Sequence, residues 1–243
     1  MGKKNKKQYA RYDLIDLLRG LAIVQMMVFH FCFLLKEFDL AFLDFSFNPY
    51  WAAFRVVIVT MFLTLVGVSL KIAWINGFNR RSYFKRLAQL FIYGLALSLT
   101  TYFIAPHRTV YFGILQFILV ASVLGLLLVK FSWQNVVLGL GLCILGLVYS
   151  NPFFNQSGLN WLGMVTQKPV TLDYVPLLPW FGLVVIGLYI GGEVASNPRL
   201  AFIKQWQATN PVSRLLALGG RHSLNIYMAH VPIFFGFIVL FLV

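Results

Sequence analysis

The chain contains repeated apolar runs of about 20 residues, the length that a helix needs to cross a bilayer. The predicted spans are residues 14–35, 53–74, 87–105, 110–129, 133–150, 175–192 and 222–243. Runs of this length lack the alternating pattern of a membrane β-barrel, and only helices and closed barrels satisfy the backbone in lipid. With 60% hydrophobic and 11% charged residues, the sequence predicts an all-α, polytopic membrane helical bundle of about seven transmembrane helices.

The distribution of basic residues predicts how these spans are oriented. Of the 20 lysines and arginines, alternating spans place only Lys36, Arg55, Arg108 and Lys168 on one side. Because cytoplasmic loops collect basic residues, we expect the N-terminus to be cytoplasmic and the C-terminus to lie outside. Topology and anionic lipid then account for the net charge of +13, so the lipid bilayer is the expected partner and nucleic acid is not.

We expect a single transmembrane domain over residues 1–243, with a basic cytoplasmic tail at residues 1–10. Cys32 and Cys143 both fall inside predicted spans. We interpret them as packing thiols, with no disulfide and no metal site.

Ionisable side chains inside the first span are the strongest functional signal, because charge at membrane depth is costly. Asp16, Arg19 and His30 share a stripe of roughly 80° on a helix and therefore face one interior. At about 1.5 Å per residue, His30 lies roughly 21 Å along the axis from Asp16. The two cannot touch, which indicates a site reached from both membrane faces. A structural ion pair between Asp16 and Arg19, and a core histidine at position 30, are the alternatives.

Four further polar or aromatic positions each have a structural and a functional interpretation. Arg55 either extends outward to the membrane surface or binds an anion. Gln116 either bridges helices or orients a substrate. Asp173 either caps the helix that follows it or binds an acceptor group, and Trp180 fits the interfacial aromatic belt.

The last span carries a second histidine. Ser223, Tyr227 and His230 share one helical face. A hydrolase triad is not favoured, because there is no nucleophile elbow and no carboxylate is obviously placed to orient a histidine. We expect His230 to be an interior polar residue and consider His30 the better catalytic candidate.

Four strings of the sequence resemble a known family. They are residues 11–20 continuing to His30, residues 112–115, residues 173–180 and residues 223–230. Together they resemble bacterial relatives of heparan-α-glucosaminide N-acetyltransferase, within the transmembrane acyltransferase superfamily, over about residues 11–235. The resemblance implies a cell-membrane enzyme that moves an acetyl group from cytoplasmic acetyl-CoA to an amino sugar or glycan on the outer face, without a metal.

The sequence departs from that family in places. The lysosomal branch carries a histidine in its first outer loop, where the nearest position here is Asn48, and it has an asparagine at the position of His30. Many bacterial relatives have a histidine in place of Gln116. Broader transmembrane acyltransferases place a histidine at the end of this span, which supports His30. The catalytic candidates are therefore His30, as the general base, Asn48 and His230. An acetyl-histidine intermediate is an open variant.

The remaining site assignments combine this resemblance with the positions of the side chains along the predicted spans. Arginines at the cytoplasmic face would bind the phosphates of acetyl-CoA, namely Arg80, Arg81, Arg86 and Arg221. Substrate contacts are assigned to Asp16, Arg19, Arg55, Gln116, Asp173 and Trp180. Gln116, Asn48 and Arg55 are the candidates to stabilise an oxyanion.

Three other classes of protein compete with this interpretation. A transporter or flippase for a small polar or lipid-linked substrate also needs interior polar groups, but no internal repeat supports it. In a structural scaffold, the interior polar groups would be dispensable as long as the protein still folds. A rhomboid-like serine hydrolase needs a serine level with its histidine, and Ser223 lies near the inner end of its span. The sequence leaves open which acceptor is used, whether acetylation occurs on nitrogen or oxygen, and whether the protein forms a homodimer.

Overall fold

The structure, a computed structural model, describes residues 12–41 and 48–242. Within those ranges all regular structure is helical. The helices are α1 (Asp13–Glu37), α2 (Pro49–Ile75), α3 (Arg80–Ile104), α4 (Ile114–Leu128), α5 (Gln134–Val148), α6 (Leu177–Ser196), α7 (Ala201–Gln205), α8 (Pro211–Arg221) and α9 (Ser223–Phe241). The predicted all-α membrane bundle is therefore confirmed, whereas the basic tail at residues 1–10 lies outside the described ranges.

The number of membrane spans is not confirmed as seven. Among the described residues, five helices are long and apolar enough to cross a membrane: α1, α2, α3, α6 and α9. The helices α4 and α5 have 15 residues each, about 22 Å of helix against a hydrocarbon core of about 30 Å. Both are shorter than predicted because the backbone turns before Ile114 and at residues 129–133. The cytoplasmic orientation of the N-terminus stays a prediction.

The centre of the bundle is the contact between α2 and α6, and α5 and α4 pack against the same α6. A Cβ atom at Gly67 would overlap the carbonyl oxygen of Val184, and one at Gly187 would overlap that of Thr64. Small residues at these two positions let the backbones approach closely, as is common between membrane helices. Phe117, Leu63 and Val184 fill the core around this contact.

Two ends of the bundle matter for the site. We call the end formed by the C-terminus of α2, the N-terminus of α3 and α8 the basic end. The opposite end, which we call the loop end, is formed by residues 105–113 and 149–176. There Leu172 N donates to Arg108 O at 3.0 Å, and Arg108 Nη1 lies 2.8 Å from Glu37 Oε2 at the C-terminus of α1.

The long segment of the loop end is folded onto the bundle. Tyr174 OH donates to Asn160 O at 2.7 Å, and burial raises the pKa of Tyr174 to about 12. Thr171 Oγ1 donates to Thr109 O at 2.8 Å. These bonds fix the segment against the start of α4, close to where α1 ends.

Candidate active site

The two histidines singled out in the sequence meet in the structure. His30 lies on α1 and His230 on α9, and His30 Nδ1 is 2.8 Å from His230 Nε2. The ring centroids are 4.9 Å apart, and His230 is only 3% exposed. The sequence did not pair His30 with His230, because the two residues lie 200 positions apart on different helices. The prediction that His230 is an interior residue is confirmed.

The hydrogen bonds of the pair determine where its protons lie. His230 Nδ1 is 2.5 Å from the carbonyl oxygen of Tyr227. A carbonyl oxygen only accepts, so His230 Nδ1 carries the proton and, in the neutral ring, its Nε2 is an acceptor. His30 Nδ1 must then donate to His230 Nε2. This leaves the lone pair on His30 Nε2, the nitrogen that can act as a base.

Aromatic side chains surround the histidine pair. The ring of Phe29 lies edge-on to His30 at 5.8 Å, and Phe234 lies edge-on to His230 at 5.9 Å. Tyr227 completes the group, with its ring 5.4 Å from that of His230. Apolar walls of this kind limit the access of water and strengthen electrostatic interactions inside them.

The Tyr227 side chain is a site feature that the sequence interpretation did not assign. Its ring packs with Ile23, Met26 and Ile58 at the junction of α1, α2 and α9. Its hydroxyl forms no hydrogen bond with the described residues, and it is not among the fully buried polar atoms that lack a partner. The hydroxyl is therefore an unused donor on the ring that contacts His230. The helical face it shares with His230 was the available signal.

A second cluster of polar side chains lies at the basic end. Arg19 Nη1 is 2.6 Å from Asp16 Oδ1, which confirms the predicted pair, and Arg19 also donates to the Ser69 hydroxyl. Arg221 of α8 lies 3.2 Å from the other oxygen of Asp16 and 2.7 Å from Asp13 Oδ1. This network fixes α8 against α1.

The backbone also explains why α8 sits where it does. A Cβ atom at Gly20 would overlap the carbonyl oxygen of Leu216, and one at Gly220 would overlap that of Asp16. The Arg-Gly string of α1 and the Gly-Gly-Arg string of α8 are therefore two halves of one helix crossing. Close approach of the two backbones brings Arg221 within reach of Asp16.

The arginines expected to bind acetyl-CoA lie in different surroundings. Arg80 and Arg81 are exposed at the start of α3. Arg86, about two turns further along, is near enough to Arg19 for their charges to repel. Arg221 is already bound to both aspartates of α1. Arg80, Arg81 and Arg86 are thus the members of the predicted set without an ion pair among the described residues.

Gln116 and Asn48 have structural partners. The Gln116 amide donates to Gly94 O and to Ser98 Oγ, both at 3.0 Å, and accepts from Gly113 N at 3.1 Å. It ties α4 to α3, as the helix-bridging interpretation of the sequence predicts, and both of its amide protons are used. Asn48 Oδ1 accepts from Tyr50 N at 2.9 Å and caps α2.

Asp173 caps a different helix from the one predicted. Its Oδ2 accepts from Ile114 N at 2.7 Å, at the N-terminus of α4, whereas the sequence predicted a cap on the helix that follows it. The cap is on α4 because the loop-end segment folds back over Gly113. Burial raises the pKa of Asp173 above its usual value, while the nearby charges of Arg55 and Lys168 act in the opposite direction.

Arg55 and Trp180 form no hydrogen bond with His30 or His230. Arg55 is exposed near the start of α2. The pKa of Lys168 is lowered mainly by the burial of Lys168 itself and further by the nearby charge of Arg55. Trp180 is partly buried and packs against the main core. Cys32 and Cys143 are both free thiols.

The fold and the histidine pair together describe a polytopic helical membrane protein with a candidate acid–base site between two helices. A family model for the heparan-alpha-glucosaminide N-acetyltransferase catalytic domain matches residues 11–232. The chain therefore belongs to that family, and the predicted resemblance is confirmed. No curated protein and no solved structure matches the chain. Membership of the family points to a transmembrane acetyltransferase.

Proposed function

We propose that this protein transfers an acetyl group from acetyl-CoA at the basic end to an amino sugar or other glycan acceptor that enters from the loop end. The hydrogen-bonded pair of His30 and His230 is the observation that carries the proposal. It supplies a base with a defined free nitrogen, held between two helices of a membrane acetyltransferase family.

Donor binding draws on the charges of the basic end. Arg80, Arg81 and Arg86 would bind the phosphates of CoA, since guanidinium groups bind phosphate oxygens in bidentate geometry. Arg19 and Arg221, held by Asp16, would form the wall beside them. His30 lies about 21 Å along α1 from Asp16, a distance that the extended arm of CoA would have to cover to bring its thioester to the histidines.

The chemistry then requires one base and one oxyanion donor. The nitrogen or oxygen of the acceptor attacks the thioester carbon, and His30 Nε2 takes the proton that the acceptor amine or hydroxyl loses. The carbon–sulfur bond breaks, and the proton passes from His30 to the CoA thiolate. The products are the acetylated acceptor and free CoA. His230 acts as a positioning residue, because its Nε2 holds His30 in the reactive tautomer and orientation.

We assign the oxyanion to the hydroxyl of Tyr227. It has no partner among the described residues and lies on the ring that contacts His230. Gln116 is less suitable, because both of its amide protons bind α3. Asn48 and Arg55 remain candidates for contacts with the acceptor at the loop end. Asp173 is close enough for its charge to act on Tyr227.

The test uses the purified protein in liposomes with acetyl-labelled acetyl-CoA and glucosamine as the probe acceptor. Release of CoA thiol and formation of labelled N-acetylglucosamine are measured for the wild type, His30→Ala and His222→Ala. His222 is an exposed histidine before α9 and serves as the matched control. We expect His30→Ala to lose about 10³-fold in turnover and His222→Ala to match the wild type.

Three results would contradict parts of this proposal in distinct ways. Equal turnover by His30→Ala would remove the base assignment. A wild type that neither binds nor cleaves acetyl-CoA would overturn the enzyme. Uptake of labelled glucosamine without acetylation would favour a transporter instead.

A further inference from the structure

A cavity of about 380 Å³ lies at the basic end, on the side of α2 away from Arg19. It is bounded by the ends of α2 and α6 and by the turn between α4 and α5. The side chains that line it include Lys71, Trp74, Lys130, Ser132 and Glu193. Neither the histidines nor the arginines assigned to acetyl-CoA are among its lining residues.

The position of Lys71 shows that the cavity is separate from the network at Arg19. Ser69 faces α1 and accepts from Arg19. Lys71 lies two residues further, about 200° around the helix, and so faces the opposite side. The cavity therefore lies across α2 from the proposed path of the acyl donor.

One wall of the cavity is cationic. Lys71 is 9% exposed, and its Nζ donates to Val129 O at 2.6 Å and to Phe131 O at 2.9 Å, where α4 ends. An ammonium has three N–H donors, so one remains for a ligand. Lys130 lies on the same turn and is exposed at the rim, and Ser132 adds a hydroxyl. This wall suits a phosphate group.

The other wall carries a carboxylate. Glu193 of α6 lines the cavity, and its Oε2 accepts from Asn197 Nδ2 at 3.0 Å. Within the described part of the chain, Glu193 forms no ion pair with Lys71 or Lys130, although all three line one cavity. Cations on one side and a carboxylate on the other, held apart, are complementary to a ligand that carries both charges.

We propose that this cavity binds the headgroup of a phospholipid that carries a primary ammonium, as phosphatidylethanolamine does. The phosphate contacts Lys71, Lys130 and Ser132, and the ammonium donates to Glu193. The location agrees with a lipid, because the cavity lies at the ends of membrane helices, where headgroups are found, and Trp74 is suited to that interface. The site is independent of the acetyltransferase proposal.

The test is lipid binding by the purified full chain in detergent. Phosphatidylethanolamine, phosphatidylcholine and phosphatidylglycerol with identical short acyl chains are titrated, and dissociation constants are measured by native mass spectrometry. We expect phosphatidylethanolamine to bind about tenfold more tightly than phosphatidylcholine, whose quaternary ammonium cannot donate a hydrogen bond to Glu193. Glu193→Gln keeps an acceptor for Asn197 and should abolish this preference.

Matched variants separate the two walls. Lys130→Gln should weaken phosphatidylethanolamine and phosphatidylcholine by the same factor, whereas Lys85→Gln, an exposed lysine of α3 at the same end, should change neither. Circular dichroism checks that each variant is folded. Lys71 is left unchanged because it holds the end of α4.

Several outcomes would overturn the proposal. They are equal affinity of the wild type for the first two lipids, a preference that survives Glu193→Gln, and tightest binding of phosphatidylglycerol. Displacement of the lipid by adenosine 3′,5′-bisphosphate would instead assign the cavity to the phosphates of the acyl donor.

Discussion

The two polar clusters of α1 differ in how completely their groups are used. At the basic end, both oxygens of Asp16 and both oxygens of Asp13 accept hydrogen bonds, from Arg19, Arg221 and the Ala208 backbone. At the histidine pair, only one nitrogen of His30 forms a hydrogen bond within residues 12–41 and 48–242. The first cluster holds helices together, whereas the second leaves a basic nitrogen available.

This difference separates structural from chemical polar groups inside a membrane protein. A buried charge that has all its partners stabilises one arrangement, and removing one member exposes the others to an apolar environment. A buried base with a free lone pair contributes little to packing but can accept a proton from a substrate. The clusters should therefore respond to mutation in opposite ways, the first in stability and the second in turnover.

The largest effect is expected from the histidine pair. His30→Ala and His230→Ala should each lower kcat by about 10³-fold, and the double variant should lose no more than that. The reason is that His230 acts only by holding His30 in its reactive tautomer and orientation. The measurement is steady-state turnover of acetyl-CoA in liposomes for the two single variants and the double variant.

A double variant that loses the product of the two single effects would show that the residues act independently. Turnover is expressed per folded molecule, and the free energy of unfolding is measured alongside, because His230→Ala also removes the hydrogen bond to Tyr227 O and leaves a cavity at a buried position.

Tyr227→Phe should have the next largest effect, about 10²-fold on kcat with KM nearly unchanged. The hydroxyl would bind the oxyanion that forms during transfer and would make no contact in the ground state. Phenylalanine keeps the ring that packs against His230 and the cluster of Ile23, Met26 and Ile58. Tyr93→Phe is the control, because its hydroxyl bonds Asn225 and lies outside the proposed mechanism. Loss in KM alone would assign Tyr227 to binding.

Asp16→Asn tests the cluster at the basic end. The change leaves Arg19 and Arg221 without a carboxylate between them, and both are partly accessible, so we expect a loss of about 2 kcal/mol in the free energy of unfolding. Turnover per folded molecule should fall less than tenfold. The control is Glu37→Gln, which removes an exposed ion pair with Arg108 worth at most about 1 kcal/mol. Full stability in Asp16→Asn would refute the structural role.

The sequence was sufficient to predict features that depend on the geometry of a single helix. The spacing of Asp16 and Arg19 gave their ion pair, and the face that these two residues share with His30 gave the side of α1 that turns inward. Periodicity within a span determines which residues share a face. The apolar runs likewise predicted an all-α bundle, although they overestimated the lengths of α4 and α5.

What depends on contacts between distant segments could not be predicted. The partners of His30 and Asp16 lie about 200 residues away, on α9 and α8, and no local pattern indicates which helices adjoin. Asp173 was assigned a cap on the nearest helix, since proximity in sequence was the only guide. The family strings contained Asp16, His30, Asp173 and His230, but a resemblance gives their order along the chain and not which of them touch.

The smallest change in stability is expected from variants of Asp173, which test how the cap on α4 at the loop end depends on its acceptor and its charge. Asp173→Ala removes the acceptor for Ile114 N and should cost about 1 kcal/mol of stability, whereas Asp173→Asn keeps an acceptor and should cost less. Burial raises the pKa of Asp173 above its usual value of 3.8. The folded state therefore holds the proton more tightly than the unfolded state.

It follows that this group's contribution to stability is complete below pH 3.8 and is lost as the pH rises through the folded-state pKa. Asparagine cannot ionise, so Asp173→Asn should gain stability relative to the wild type over that interval. Thermal unfolding from pH 3 upward, with the three proteins side by side, measures both effects. If the wild type instead became more stable than Asp173→Asn as the pH rose, the positive charges of Arg55 and Lys168 would outweigh burial, and the loop end would, like the basic end, be held together by charge.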